Sequence, residues 1–230
     1  MKKIEIKEFG GPEVLEIKNV DIGKPGQNEV LVKNLSIGIN YIDTYHRSGL
    51  YPIPLPSGIG LEACSIIEEV GSEVKLFKVG DRVTRASMPI GTYSEKQIIP
   101  EDKLVKVPDN ISDEVASCIT LKGITAEYLL HRTYQVKKGD KILYHAAAGA
   151  LGQIFCPWAN ALGAEIIGTV GSDEKIEIAK KNGCHHVINY NEKNFVEEVE
   201  KIVGKNGLDV VYDGVGAKTF EGSIEVLKVR

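Results

Sequence analysis

Apolar and polar residues alternate in short runs along the first half of the chain, and this pattern predicts β-strands. Residues 1–7 alternate charged and apolar side chains, as a strand with one solvated face does. Further short apolar runs, closed by Gly or Pro, lie at 30–35, 65–70, 79–83, 98–100 and 104–108. Strands broken by turn residues at this spacing indicate a small barrel-like or sandwich-like domain.

The pattern changes near residue 110, where helical spacing begins. Ser112-Asp113-Glu114 is typical of a helix N-terminus, and helical spacing continues over 114–131 with an interruption at Lys122-Gly123. Beyond this point strands and helices alternate: strands at 141–145, 165–170, 186–190 and 209–213, helices at 152–162, 173–181 and 195–203. Alternation of Ile- and Val-rich strands with helices predicts a parallel, doubly wound sheet, so the fold class is α/β.

A small-residue loop lies between the first of these strands and its helix. Residues 146–152 fit the dinucleotide-binding pattern GxGxxG, with Ala147 in the first glycine position. Gly149 would let the backbone approach a pyrophosphate, and Gly152 would let helix and strand pack closely. An Ala/Gly-rich turn without a ligand is the alternative, and the flanking strand and helix favour the dinucleotide.

The end of the second strand bears on the choice of dinucleotide. Thr169 to Ser172 carries no carboxylate that would accept a ribose 2′-hydroxyl, as NAD-binding proteins have there. Ser172, Lys175 and Tyr190 are placed to hold a 2′-phosphate, which favours NADPH. Asp173 and Glu174 leave two interpretations open: they stabilise the first turn of a helix, which we prefer, or they repel a phosphate.

Composition narrows the class of protein. The 230 residues are 43% apolar and 26% charged with a net charge of −4, typical of a globular chain without the positive field that attracts nucleic acid or anionic membranes. The first residues do not form a signal peptide and no apolar run is long enough to span a bilayer, which points to the cytoplasm. Cys64, Cys118, Cys156 and Cys184 form no CxxC pair, so free thiols are expected.

Several motifs together resemble a known family, the zinc-free quinone oxidoreductases of the medium-chain dehydrogenases/reductases. The resemblance covers the whole chain in order and spacing. Its motifs are residues 38–45, 47–52, 79–83, 121–126, 145–152, 187–190 and 211–216.

The resemblance implies two domains with the active site in the cleft between them. The first, residues 1–122, is a GroES-like catalytic domain with a β-barrel core, and the second, residues 123–230, is a Rossmann NADPH-binding domain. Zinc-dependent relatives carry a cysteine at the position of Asn40 and a histidine at that of Leu61, and they have a four-cysteine zinc lobe. Because Asn and Leu are not zinc ligands, no metal is expected.

The resemblance also assigns roles to residues. A quinone or activated enone is the implied substrate, since it accepts reducing equivalents without a Lewis acid. Asn40, Asp43, Tyr45 and, less specifically, Tyr51 are the implied catalytic residues, although a surface-turn role for Tyr51 before Pro52 is an equal alternative. The implied cofactor-binding residues are Tyr41, Ile42, Thr44, Tyr128, Ala147, Gly149, Ala150, Leu151, Gly152, Gly171, Ser172, Lys175, Tyr190 and Gly214, the last standing where relatives often carry serine.

The final residues, 225–230, fall in a helix-like segment after the fourth strand. A full doubly wound dinucleotide domain has six strands, so we expect a Rossmann domain that is incomplete after its fourth strand and lacks the homodimer edge of the family. An exposed strand edge and uncovered apolar surface then predict poor folding or weak cofactor binding. The alternative function is therefore an impaired remnant, or a nucleotide- or RNA-binding protein of the same fold.

Overall fold

The structure is a computed structural model that describes residues 1–229. It divides into two compact units, the first spanning Met1–Leu121 and the second beginning at Lys122. Two sheets lie in the first unit and one in the second, and each unit has its own buried apolar clusters.

The first unit consists mainly of short antiparallel strands. It contains β1 (Lys2–Ile6), β2 (Glu16–Asn19), β3 (Glu29–Gly38), α1 (Tyr41–Ser48), β4 (Ser57–Gly58), β5 (Glu62–Val70), β6 (Arg82–Ala86), β7 (Lys96–Pro100) and β8 (Val105–Lys106). One sheet has the order β2-β1-β4 and the other β7-β3-β5-β6-β8. The strands predicted for this half are confirmed, and their inward residues Val30, Val32, Ile67, Val83 and Ile99 form a buried cluster.

The second unit is a parallel sheet covered by helices on both faces. Its elements are β9 (Lys141–Tyr144), α3 (Gly152–Ala161), β10 (Glu165–Val170), α4 (Ile176–Lys181), β11 (His186–Asn189), α5 (Phe195–Val203), β12 (Val210–Tyr212) and α6 (Phe220–Glu225). The strand order is β11-β10-β9-β12, which matches the 3-2-1-4 part of the doubly wound order 3-2-1-4-5-6. The predicted parallel α/β arrangement is thereby confirmed.

Successive residues of the central strand β9 are buried in two apolar clusters, one on each face of the sheet. Ile142 and Tyr144 belong to the cluster that contains Phe155 of α3, and the Tyr144 and Phe155 rings stack at 4.4 Å. Leu143 faces the opposite cluster together with Val199 of α5. This alternation explains why a continuous apolar run forms a strand that is buried on both faces.

Two expectations about helices are wrong. Helix α2 (Asp113–Tyr128) runs through Lys122-Gly123 without interruption, because a single glycine costs only about 1 kcal/mol in a helix interior, and a π-helical turn at Leu129–Thr133 follows it. The helix-like segment expected over 225–230 is not formed at 226–229, because α6 ends at Glu225 and Leu227 pairs in parallel with Leu208; residue 230 lies outside the described residues. Helix α1 has no counterpart among the predicted elements.

Close contact between α3 and the end of β9 depends on the glycine at the start of the helix. A Cβ atom on Gly152 would lie 2.4 Å from the carbonyl oxygen of Ala147. The Ala147 carbonyl and the Gly152 backbone that would carry the Cβ are held by the sheet and the helix, so a side chain at this position displaces one of them.

We therefore expect Gly152→Ala to lower the free energy of unfolding of the second unit by about 1–3 kcal/mol, the usual cost of forcing an extra methyl into a packed interior. Trp158, the single tryptophan of the chain, lies in α3 and gives a fluorescence signal for unfolding of this unit in urea. Gly214→Ala is the matched control, because a Cβ there meets no atom within 4 Å. Equal midpoints for the two variants would contradict the prediction.

Candidate functional site

A pocket of about 120 Å³ lies at the carboxyl ends of β9 and β10. It is smaller than the ~300–1,000 Å³ of sites that enclose a whole small molecule, so it can enclose only part of one. The residues that line it are Ala146, Ala148, Gly149, Val170, Gly171, Lys175 and Tyr190.

The loop after β9 has a tight and partly strained backbone. Ala146 adopts a left-handed conformation with φ of 58°, which costs an alanine about 1–2 kcal/mol relative to the right-handed region. The Gly149 N–H donates to the Ala146 carbonyl at 2.8 Å, and the Ala147 N–H donates to the Thr169 carbonyl of β10 at 3.0 Å. These bonds fix the loop so that Ala146, Ala148 and Gly149 face the pocket.

Four of the cofactor-binding residues predicted for the second unit line this pocket: Gly149, Gly171, Lys175 and Tyr190. The others are not among its lining residues. Ala147 and Gly152 are buried beneath the loop, Ala150 is exposed, Leu151 packs on the core, Ser172 follows Gly171, Gly214 lies in the turn after β12, and Tyr128 ends α2. Ala147, at the first glycine position of the GxGxxG pattern, is therefore a buried core residue.

Lys175 is the single charged side chain in the pocket lining. Within the described part of the chain it forms no ion pair shorter than 4.0 Å, and it is exposed. The Tyr190 hydroxyl lies beside Gly171, since a Cβ on that glycine would meet it at 2.9 Å. A lysine, a phenol and bare glycine backbone are groups that bind a phosphate.

A buried polar chain supports the same loop from below. Ser223 donates its hydroxyl to Asp213 at 2.8 Å, so its oxygen accepts from His145 Nε2 at 3.0 Å. His145 Nδ1 then accepts from the Thr169 hydroxyl at 2.9 Å. Burial lowers the pKa of His145, which agrees with a neutral ring. His145 itself is buried and directly precedes Ala146, so this chain of bonds lies beneath the loop.

In the first unit, a buried carboxylate organises the start of α1. Asp43 Oδ2 accepts from the backbone N–H of Asn40 and from the Tyr93 hydroxyl, each at 2.9 Å. Asp43 Oδ1 is buried and has no hydrogen-bond partner among residues 1–229. Burial is the main cause that raises the pKa of Asp43, and the two donors oppose it.

Asn40 joins this helix to the neighbouring sheet. Its side-chain Nδ2 donates to Glu62 Oε2 at 2.9 Å, and the Leu121 N–H donates to Glu62 Oε1 at 2.7 Å. Strand β3 and helix α2 approach closely at Gly38, since a Cβ on this glycine would lie 2.0 Å from the Ser117 carbonyl oxygen. Among the described residues, no three His, Cys, Asp or Glu side chains are grouped so that they could hold a metal ion.

Three tyrosines form a connected aromatic surface beside this cluster. The Tyr41 and Tyr45 rings meet edge to face at 5.3 Å, and the Tyr45 and Tyr51 rings lie 5.2 Å apart. Tyr41 and Tyr51 are exposed. Ile42 is half-buried on the same helix, and the Thr44 hydroxyl donates to the Tyr41 carbonyl at 2.6 Å. The structure thus brings Asn40 and Asp43 together in one polar cluster, with the tyrosines at its side.

Sequence reasoning missed three residues of these sites. Tyr93 contacts Asp43 across 50 positions of the chain, and nothing in the local sequence indicates that contact. His46 is buried one turn beyond Asp43, with its Nδ1 atom unpartnered among the residues that the structure describes. Ala146 lines the pocket, and only its backbone conformation reveals its role.

The two units match two family models. Residues 26–109 match the alcohol dehydrogenase GroES-like domain, and residues 150–230 match a model described as zinc-binding dehydrogenase. The two matches assign the antiparallel strands and the parallel sheet to the two parts of a dehydrogenase-type oxidoreductase.

Relatives in both sequence and structure define the class further. The chain is 48% identical over 230 residues to a quinone oxidoreductase of Pseudomonas aeruginosa, covering all of this chain and 71% of that protein. It is 47% identical over 232 residues to a 2-haloacrylate reductase of Burkholderia sp, covering 98% and 69% of the two proteins. A crystal structure of Escherichia coli quinone oxidoreductase complexed with NADPH superposes with a TM-score of 0.97 at 49% identity, covering 100% of this chain and 71% of that one. The chain belongs to the quinone oxidoreductase family.

None of the helices described in residues 1–229 has the length and apolar character that crossing a membrane requires.

The buried Asp43 carboxylate predicts a pH-dependent stability. Burial raises the pKa of Asp43 in the folded chain above its ordinary value of 3.8. Below pH 3.8 the carboxyl group is protonated in both the folded and the unfolded chain, so it does not lower stability. As the pH rises through the folded-state pKa, the folded chain must bury a charge, and the free energy of unfolding falls. Asp43→Asn retains an acceptor for Asn40 and Tyr93 but carries no charge. We expect the variant to match the parent in unfolding free energy at pH 3.5 and to exceed it at pH 7, measured by urea denaturation with far-UV circular dichroism. A difference of the same size at both pH values would contradict the expectation.

Proposed function

We propose that this protein transfers reducing equivalents from NADPH to a quinone, or to a related activated enone, without zinc. The relatives at 47–49% identity support the reaction class, because two are quinone oxidoreductases, one of them solved with NADPH, and one is a 2-haloacrylate reductase. The observation that carries the proposal is the pocket at the end of β9, whose lining combines bare backbone with one unpaired lysine.

The pocket residues fit a phosphate-bearing nucleotide. Gly149 presents backbone without a side chain, and the loop that contains it is followed directly by helix α3, whose N-terminus favours an anion. Ala150 and Leu151 would flank the diphosphate, while Ser172, Lys175 and Tyr190 would hold the 2′-phosphate. When bound, NADPH supplies the hydride, and the protein supplies orientation.

The first unit offers the substrate side of the reaction. The Tyr41, Tyr45 and Tyr51 rings form an aromatic surface on which a planar quinone can stack. Asp43 is held at one oxygen by two donors, and burial raises its pKa, so its carboxyl group keeps a proton more readily than a free aspartate does. A protonated carboxyl group can donate a hydrogen bond to a carbonyl oxygen, which a reaction without a Lewis acid requires. Asn40 is the further residue that we assign to this side.

We infer that the protein works in the cytoplasm on a small molecule. The four cysteines are free thiols, which suits a reducing compartment. The homodimer, the exclusion of nucleic acid and the absence of zinc stay predictions.

The direct experiment is to titrate the purified chain with NADPH and with NADH by nucleotide fluorescence, and then to follow NADPH oxidation with a small quinone. Tight NADPH binding with turnover is the expected outcome. Binding without turnover would favour an impaired nucleotide-binding protein, and no binding would overturn the proposal.

The pocket lysine gives a sharper prediction. Lys175→Gln removes the charged partner of the 2′-phosphate, so the Kd for NADPH should rise about tenfold or more, the value of one charge-assisted hydrogen bond, while the Kd for NADH stays within about twofold. Lys180→Gln is the control, because Lys180 lies on helix α4, which begins directly after Lys175, and pairs with Glu177 at 2.9 Å. Equal losses for both nucleotides would mean that Lys175 does not contact the 2′-phosphate.

A further inference from the structure

An acidic side chain stands beside the proposed 2′-phosphate position. Asp173 directly follows Ser172 and precedes Lys175 by two residues. A carboxylate that turned toward the pocket would oppose the lysine and repel a phosphate dianion. Asp173 is nevertheless not among the residues that line the pocket.

A buried amide at the end of β11 holds this carboxylate. Asn189 Nδ2 donates to Asp173 Oδ1 at 2.8 Å, and Asn189 is 8% exposed, whereas Asp173 is an exposed residue. The contact therefore joins a fixed buried group to a side chain that would otherwise sample several rotamers in water.

The direction of the Asn189 amide is determined by a second bond. Asn189 Oδ1 accepts from the backbone N–H of Asn191 at 3.1 Å, so the oxygen must point to that N–H and the NH2 group must point to Asp173. Asn191 Nδ2 in turn donates to the Gly171 carbonyl at 2.7 Å, which ties the same turn to the pocket rim. The turn after β11 thus presents a donor to Asp173 in one orientation.

We propose that Asn189 is a specificity-determining positioning residue, which holds the Asp173 carboxylate out of the pocket and thereby permits binding of a 2′-phosphorylated dinucleotide. The inference rests on the proposed NADPH function and deepens it. Asn189 acts through Asp173 and needs no contact with the nucleotide. Lys175 then remains the single charge that faces the phosphate.

Binding measurements on four chains test the proposal: the parent, Asn189→Ala, Asp173→Asn and the double variant. The probes are 2′,5′-ADP and NADPH, which carry the 2′-phosphate, and 5′-AMP and NADH, which do not, all measured by calorimetry or fluorescence. A carboxylate freed to approach the 2′-phosphate would repel it, so Asn189→Ala should weaken binding of the phosphorylated probes about tenfold. The other two probes should change less than about twofold, since neither carries the 2′-phosphate that Asp173 would repel.

The double variant separates an effect through Asp173 from a structural one. If Asn189 acts only on that carboxylate, Asp173→Asn makes its loss harmless, and the double variant binds 2′,5′-ADP within about twofold of Asp173→Asn alone. Raising the salt concentration should also shrink the loss in Asn189→Ala, because the repulsion is screened. A loosened turn would weaken all four probes and respond little to salt.

Two further variants keep the test decisive if Asn189→Ala folds poorly. Asn189→Asp preserves an acceptor for the Asn191 N–H but replaces the donor with a second carboxylate, so it should discriminate against 2′,5′-ADP at least as strongly. Asn191→Ala removes the contact with Gly171 and leaves Asp173 held, so its ratio of NADPH to NADH affinity should match the parent.

The outcomes distinguish this inference from the function on which it rests. A parent chain that prefers NADPH while both Asn189 variants keep the same preference overturns the role of Asn189 alone. A parent chain that binds NADPH and NADH equally overturns the 2′-phosphate assignment and the inference with it.

Discussion

The fold of the second unit depends on three small residues that allow helix α3 to pack closely on strand β10 and the loop after β9. Ala147 lies between Gly152 of α3 and Gly168 of β10, and a Cβ on either glycine would come within 3 Å of an Ala147 atom. This contact sets the distance between helix and sheet and turns the following loop outward. Ala146, Ala148 and Gly149 then line the pocket because Ala147 is packed inside. At Ala147 and Gly152, the dinucleotide-binding sequence pattern reflects the need for small residues where the helix packs on the sheet.

The first unit is organised around a buried, hydrogen-bonded carboxyl group instead of a steric contact. Asp43 accepts from the N-terminal end of α1 and from Tyr93 on a distant loop, so one carboxylate fixes both elements. Burial makes its charged form unfavourable, and the structure leaves its second oxygen without a partner among residues 1–229. A group that lowers stability and yet joins two elements is typical of a functional site. The same residue that the family resemblance selects is therefore singled out by its environment.

Much of the second unit could be predicted from sequence, because buried parallel strands are continuous apolar runs and their helices have helical spacing. Strand β10 and helix α5 have the predicted bounds. Helix α1 could not be predicted, since Tyr41, Ile42 and Thr44 are residues that favour strands, and the cap from Asp43 and tertiary packing override that preference. Contacts between distant positions, such as those of Tyr93 with Asp43 and of Asn189 with Asp173, leave no local pattern in the sequence.

The left-handed Ala146 has a consequence for the entropy of ligand capture. Glycine at this position would reach the same φ of 58° without strain, but it would also leave the free loop with many other conformations. The methyl group makes positive φ less favourable than it is for glycine, so the conformation is held by its surroundings, among them the bond from the Gly149 N–H to the Ala146 carbonyl. These bonds form without any ligand, so an anion bound at the loop as proposed would require little further ordering of its backbone.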